Sequence, residues 1–161
     1  MRRSIGESLL PQMLGTRESG PVAIDNEELG RAIKNEPIIE IAKFADFAGE
    51  RSLERLFKTL SIFIGDLKQK ADELSGIIGA RDHVALRRLA HSAAGSGSIV
   101  ATARLVAFSR WVEAQCDTAV AVDWALAEQL QATIRETISA FQKLQTKEAI
   151  DRLLNPIART S

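Results

Sequence analysis

The stretch Leu53–Ile78, LERLFKTLSIFIGDLKQKADELSGII, decides the fold class. Its apolar side chains fall at Leu53, Leu56, Phe57, Leu60, Phe63, Ile64, Leu67, Ala71, Leu74 and Ile78. Steps of three and four throughout are the mark of a helix with one buried stripe. The spacing predicts a long helix beginning near Glu50 and ended by Gly76 and Gly79.

Working outward, Asp82 follows as an N-cap. It opens a helix that runs through Ala94 and ends or bends near residues 97–101. The next helix covers about Thr102–Gln115, with Leu105, Phe108 and Val112 on one side. Asp117–Asp123 reads as a connection. A last strong helix, about Asp123–Leu144, carries Ala127, Leu130, Ile134, Ile138, Phe141 and Leu144 on one face. Residues 146–161 could extend it, with Asn155 and Pro156 marking a frayed end.

Upstream, Asp25 with Glu28 three residues later has the form of a capping box before a short helix, Asn26–Lys34. Pro37 suits the first position of a second short helix reaching Phe47. Residues 1–24 hold Gly6, Pro11, Gly15, Gly20 and Pro21 and read as a tail, with a short helix allowed within Ser4–Leu14. No segment alternates as a strand would, Tyr is absent, and aromatic residues make up 5% of the chain. The expectation is an all-α fold: an antiparallel four-helix bundle with short N-terminal covering helices. The domain would span 25–145, between the 1–24 tail and a 146–161 extension.

Composition narrows the function. Lys+Arg and Asp+Glu balance at 21 each, so no broad basic surface for nucleic acid is expected. No run of 18 apolar residues is present, and no signal-peptide core follows Arg2 and Arg3. The single cysteine, Cys116, allows no internal disulfide and fits a reducing, cytoplasmic setting. One Cys and two His at this spacing do not make a zinc site. No phosphate-binding Gly-rich loop, paired metal-spaced histidines or Ser/His/Asp order is found.

The stretch Ala90–Ala103, AHSAAGSGSIVATA, is different in kind, because ten of its fourteen residues are Ala, Gly or Ser. On a helix turning ~100° per residue, Leu86, Leu89, Ala90 and Ala93 form one stripe, and His91 lies roughly 150° from its centre. His91 is therefore expected to face outward. Arg87 stands one turn before it and Gly95 one turn after, with Ala94 and Ser98 on the same side. An exposed imidazole nitrogen can attack phosphorus, and small neighbours let another protein approach closely. A nearby cation favours the phosphorylated state. His83 reads as a first-turn surface residue, and Trp111 and Trp124 as packing residues.

Leu86–Leu105, LRRLAHSAAGSGSIVATARL, resembles the signature of histidine phosphotransfer (HPt) domains in two-component phosphorelays. The matching positions are Ala90, His91, Gly95, Ser96 and Leu105. Asp82 stands where that family often opens its histidine helix, and Val112-Glu113 at its apolar-Glu pair. The likeness extends weakly over Asp25–Leu144. Two positions depart from it: the family's Lys three residues after the histidine is Ala94, and its turn Gly is Ala101.

The resemblance implies that His91 accepts and donates a phosphoryl group and that Arg87 supplies charge support. Val84, Ala94, Gly95 and Ser98 would form the docking floor. Partners would be response-regulator receiver domains or a hybrid histidine kinase carrying one. Such a carrier is an intermediate without an ATP-binding domain, and is not an enzyme with its own turnover. It holds no cofactor; Mg²⁺ belongs in the partner's acidic pocket. Two rivals stand beside this reading: a degenerate HPt fold that binds receivers without phosphotransfer, and a structural helical-bundle adaptor.

Overall fold

A computed structural model describes residues 26–118 and 121–155. The expectations for the tail, for the Ser4–Leu14 helix, for the Asp25 cap and for the last six residues lie outside the described residues. Among the described residues the secondary structure is all helical. In chain order it runs α1 Asn26–Asn35, α2 Ile41–Gly49, α3 Leu53–Ala80, α4 His83–Ile99, α5 Ala103–Thr118, α6 Trp124–Gln142 and α7 Lys147–Leu154.

Helix α3 buries the stripe read from its sequence, Leu56, Leu60, Phe63, Ile64, Leu67, Ala71 and Leu74. Leu53, at its first turn, is 38% exposed. The helix starts when the Ser52 hydroxyl accepts the Arg55 N–H, satisfying a donor that has no intrahelical partner. It runs through Gly76 and Gly79 instead of ending there. Both glycines lie in open space, and a solvated helical glycine costs only about 1 kcal/mol relative to alanine.

The real stop is Arg81, whose φ of 55° is left-handed. Its N–H bonds the Ile78 carbonyl, and the Asp82 N–H reaches back to Ile77. This is the Schellman arrangement, with arginine where glycine is usual. Asp82 then accepts the Ala85 N–H and caps α4 at once. Two residues thus reverse the chain and lay α4 back along α3.

Helix α4 continues to Ile99, five residues beyond Ala94, and stops at a second left-handed residue, Ala101, with φ 61°. The Thr102 N–H and hydroxyl both bond the Gly97 carbonyl, at 3.1 and 2.9 Å. A Cβ on Gly97 would stand 2.5 Å from that hydroxyl oxygen, so any side chain there forces Thr102 to shift. Ala90, Ala93, Ala94 and Gly97 are all buried, and α4 makes its most extensive contact with α5.

Pro37 does not begin a helix. Its carbonyl accepts the Arg104 N–H at 3.0 Å, and Glu40 N–H bonds the Ala101 carbonyl at 2.8 Å. The 36–40 segment is held out of a helix because it pairs with the α4–α5 turn, accepting the Arg104 N–H and donating to the Ala101 carbonyl. Helix α2 therefore starts at Ile41 and buries Phe44, Phe47 and Ala48.

Helix α3 contacts α4 and α6, and α5 contacts both α4 and α6, so these four helices close a ring of contacts. Leu60, Leu67, Leu74, Leu86, Leu105, Leu130 and Ile134 are fully buried within it. Each contributes about 1.5–3 kcal/mol by leaving water. Helix α1 lies on α5, where Gly30 admits the Trp111 ring; α2 meets α7. Phe141 joins the layers, with its ring 6.0 Å from Phe44 and 5.3 Å from Phe63. The chain after Lys143 is a separate helix, not an extension of α6. Thr146 caps it by accepting the Ala149 N–H, and Ile150 anchors it. Among the described residues no helix is long and apolar enough to cross a membrane.

Candidate functional site

His91 sits in the third turn of α4, and its side chain is 74% exposed. The cause is the helical geometry: Leu86, Leu89, Ala90 and Ala93 take the buried side of α4. Gly95 and Ser98 are exposed along the same face, with nothing within 4 Å of where a Gly95 Cβ would stand. The Ser98 hydroxyl donates to the Ala94 carbonyl at 2.8 Å. Val84 is 49% exposed, one turn before Arg87 and Arg88.

Ala94 is in a different position from its expected companions. It is 5% exposed and belongs to the packed side of α4, so it offers a docking partner almost no surface. The 60° that separates it from His91 around the helix is enough to take it out of solvent. Ile99, which sequence reasoning passed over, is 65% exposed at the end of α4, and Ile62 on α3 is equally open.

Helix α5 supplies what the sequence reading did not assign. Glu113 Oε1 lies 2.8 Å from His91 Nδ1. A carboxylate only accepts hydrogen bonds, so this contact puts the proton on Nδ1 and leaves the Nε2 lone pair free in the neutral ring. Among the described residues nothing bonds Nε2. One turn along both helices, Arg87 Nε donates to Asp117 Oδ1 at 2.5 Å, and Arg87 Nη2 lies 3.5 Å from Asp117 Oδ2. A diagonal contact of 3.7 Å joins Arg87 Nη2 to Glu113.

The four residues form two rungs between antiparallel helices, His91–Glu113 and Arg87–Asp117. Hydrogen bonding to Asp117, then its charge, raises the Arg87 guanidinium above its ordinary value, with Glu113 adding less. Burial, then the Asp117 charge, pushes the neighbouring Cys116 thiol up.

A second polar cluster ties α3 to α4. Lys70 is buried along its stem and reaches Asp66 at 2.6 Å, and Asp66 accepts the Ser96 hydroxyl at 3.1 Å. Arg88 and Ser92 border the shallow groove above it. Among the described residues no group of three His, Cys, Asp or Glu side chains could hold a metal ion. His83 begins α4 and is exposed, Trp111 is buried against Phe108 and Gly30, and Trp124 stacks under Arg81.

Comparison with protein-family models, with curated proteins and with solved structures yields no match.

Proposed function

We propose that the chain is a histidine phosphotransfer protein that carries a phosphoryl group on His91 Nε2 between receiver domains. The observation that carries the reading is the His91–Glu113 pair: an exposed imidazole whose inner nitrogen is held by a carboxylate at 2.8 Å. The ring of contacts among α3, α4, α5 and α6 is in keeping with an antiparallel four-helix bundle, with α1 and α2 as its cover.

In the proposed step the neutral ring attacks a phospho-aspartate of the receiver in line. The Nε2–P bond forms as the P–O bond to aspartate breaks, and the aspartate leaves as carboxylate. The ring gains positive charge and keeps its Nδ1 proton. Glu113 stabilises that charge through a charge-assisted hydrogen bond, worth about 1.5–3 kcal/mol in ordinary settings. Return to a second receiver reverses the balance: the N–P bond breaks and the ring leaves neutral, its proton still on Nδ1. The chain supplies position and charge. We read any Mg²⁺ as bound by the receiver, and the site of action as the cytoplasm.

A second reading has its own observation. Ala94 stands where the resembled family has Lys, and Arg87 is engaged by Asp117, so neither position supplies a free cation to Nε2. A fold of this kind could bind receivers without accepting phosphate. Incubation with a radiolabelled phospho-receiver separates the two. The carrier reading expects acid-labile, base-stable label on the wild type and none on His91→Gln. Receiver binding without any label would defeat it.

A further inference from the structure

Resting on the carrier reading, we propose that Asp117 withholds Arg87 from the phosphoryl position and so keeps phosphate on His91 short-lived and readily passed on.

Side chains on a helix lean toward its N-terminus, so Arg87 leans along α4 away from His91, one turn further on. Left to itself, a long guanidinium could still swing back to an anion on Nε2. Asp117 removes that freedom. It takes Nε at 2.5 Å and approaches Nη2 at 3.5 Å, in the fork-to-carboxylate geometry that suits arginine best. Glu113 holds Nη2 more loosely from the other side, at 3.7 Å. Both carboxylates project from α5, one turn apart, so the packing of α5 on α4 sets the position of the guanidinium.

Among the described residues no other cation contacts His91. Ala94 carries no charge and is buried. Lys70 is committed to Asp66, and Arg88 borders the α3–α4 groove with Asp66 and Glu73. Within the two rungs themselves Arg87 faces two carboxylates, Glu113 and Asp117, so a phosphoryl group on Nε2 arrives beside a pair of contacts in which negative charge is in excess. That environment disfavours retention of the dianion and favours its transfer to an acceptor that brings its own cation. Asp117 is a positioning residue here: it acts on the phosphoryl group only through Arg87.

The test uses the full chain and a small donor, so no partner protein enters. Potassium phosphoramidate transfers its phosphoryl group to Nε2 with ammonia leaving, and ³¹P NMR follows the signal and its decay. Asp117→Asn keeps the side-chain shape and removes the charge. The phosphohistidine half-life is expected to lengthen about fivefold, the scale of one partly solvated charge contact.

Arg87→Ala alone should change the half-life less than about twofold, because Arg87 is already withheld. The double variant should match Arg87→Ala. An unchanged half-life in Asp117→Asn, or a marked shortening in Arg87→Ala, overturns the proposal while leaving the carrier reading intact. Absence of any His91-dependent signal in the wild type overturns both. Circular dichroism of each variant separates a change at the site from a change in fold.

Discussion

Gly95 and Gly97 stand two residues apart in α4, and replacing each with alanine should move stability in opposite directions. At Gly97 the new Cβ would lie 2.5 Å from Thr102 Oγ1 and 3.1 Å from Val106 Cγ2. Thr102 cannot easily yield. It is fully buried and branched at Cβ, and its N–H is bonded to the Gly97 carbonyl. Overpacking of this kind costs about 1–3 kcal/mol, and displacing the Thr102 hydroxyl from the Gly97 carbonyl costs about 1 more. The better helix propensity of alanine offsets about 1 kcal/mol. The net expectation for Gly97→Ala is a loss of about 2 kcal/mol, or ~4–8 °C in Tm for a chain of this size. At Gly95 nothing lies within 4 Å, so only the propensity gain remains. Gly95→Ala should therefore stabilise by about 0.5–1 kcal/mol. Urea titration followed by circular dichroism at 222 nm measures both. A Gly97→Ala protein as stable as Gly95→Ala would refute the close approach of α4 to the α5 start.

Other expectations follow from single contacts. Glu113→Gln should slow phosphoryl transfer to His91 about tenfold, because an amide cannot balance charge developing on the ring; ¹⁵N NMR of the imidazole should show the Nδ1–H form losing ground, and an unaltered tautomer would count against the role of Glu113. Arg81→Gly should stabilise by about 0.5 kcal/mol, since relief of the left-handed backbone exceeds the loss of the Arg81–Trp124 contact at 5.4 Å; a lower urea midpoint would contradict this. The Cys116 thiol, pushed up by burial and by Asp117, should alkylate with iodoacetamide more slowly than a free cysteine at mildly alkaline pH. The sign for stability follows: the folded state holds this proton more tightly, so its contribution is present below the unfolded thiol pKa and is lost as pH rises through the folded one. Full reactivity in the native protein would show the thiolate is not disfavoured.

What the sequence made legible was periodicity. The α3 stripe and the outward angle of His91 both follow from 3.6 residues per turn and needed no tertiary knowledge. Helix ends were less legible, because each was decided by a partner elsewhere. Gly76 and Gly79 looked like stops, but the left-handed residue is Arg81. Pro37 looked like a start, but its carbonyl serves Arg104 across the fold. Ala94, placed beside His91 by projection of α4 alone, is buried, because burial depends on neighbouring elements that a single-helix projection does not contain. The pairing of His91 with Glu113 and Arg87 with Asp117 depends on the register between two helices. A signal for it did exist: a cation and a histidine four residues apart on α4, and two acids four residues apart on α5.

The order of these forces matters for how the site is held. Exposed ion pairs contribute about 0–1 kcal/mol each, so the two rungs cannot themselves fix α4 against α5. The buried contacts do that: Leu86, Ala90 and Ala93 on one helix, Leu105 and Phe108 on the other, with Gly97 letting the backbones close near Thr102. Packing thus sets the register, and the register brings Glu113 to Nδ1 and Asp117 to Arg87. It follows that charge-removing changes at Glu113 and Asp117 should act on chemistry with little effect on folding. A methyl group added at Gly97 should act on both, because it disturbs the contact that aligns the rungs. The small-residue stretch then has two separable parts. Ala90, Ala93, Ala94 and Gly97 are explained by the interior of the protein, and the small residues Ser92, Gly95 and Ser98 remain as surface that an approaching partner could use.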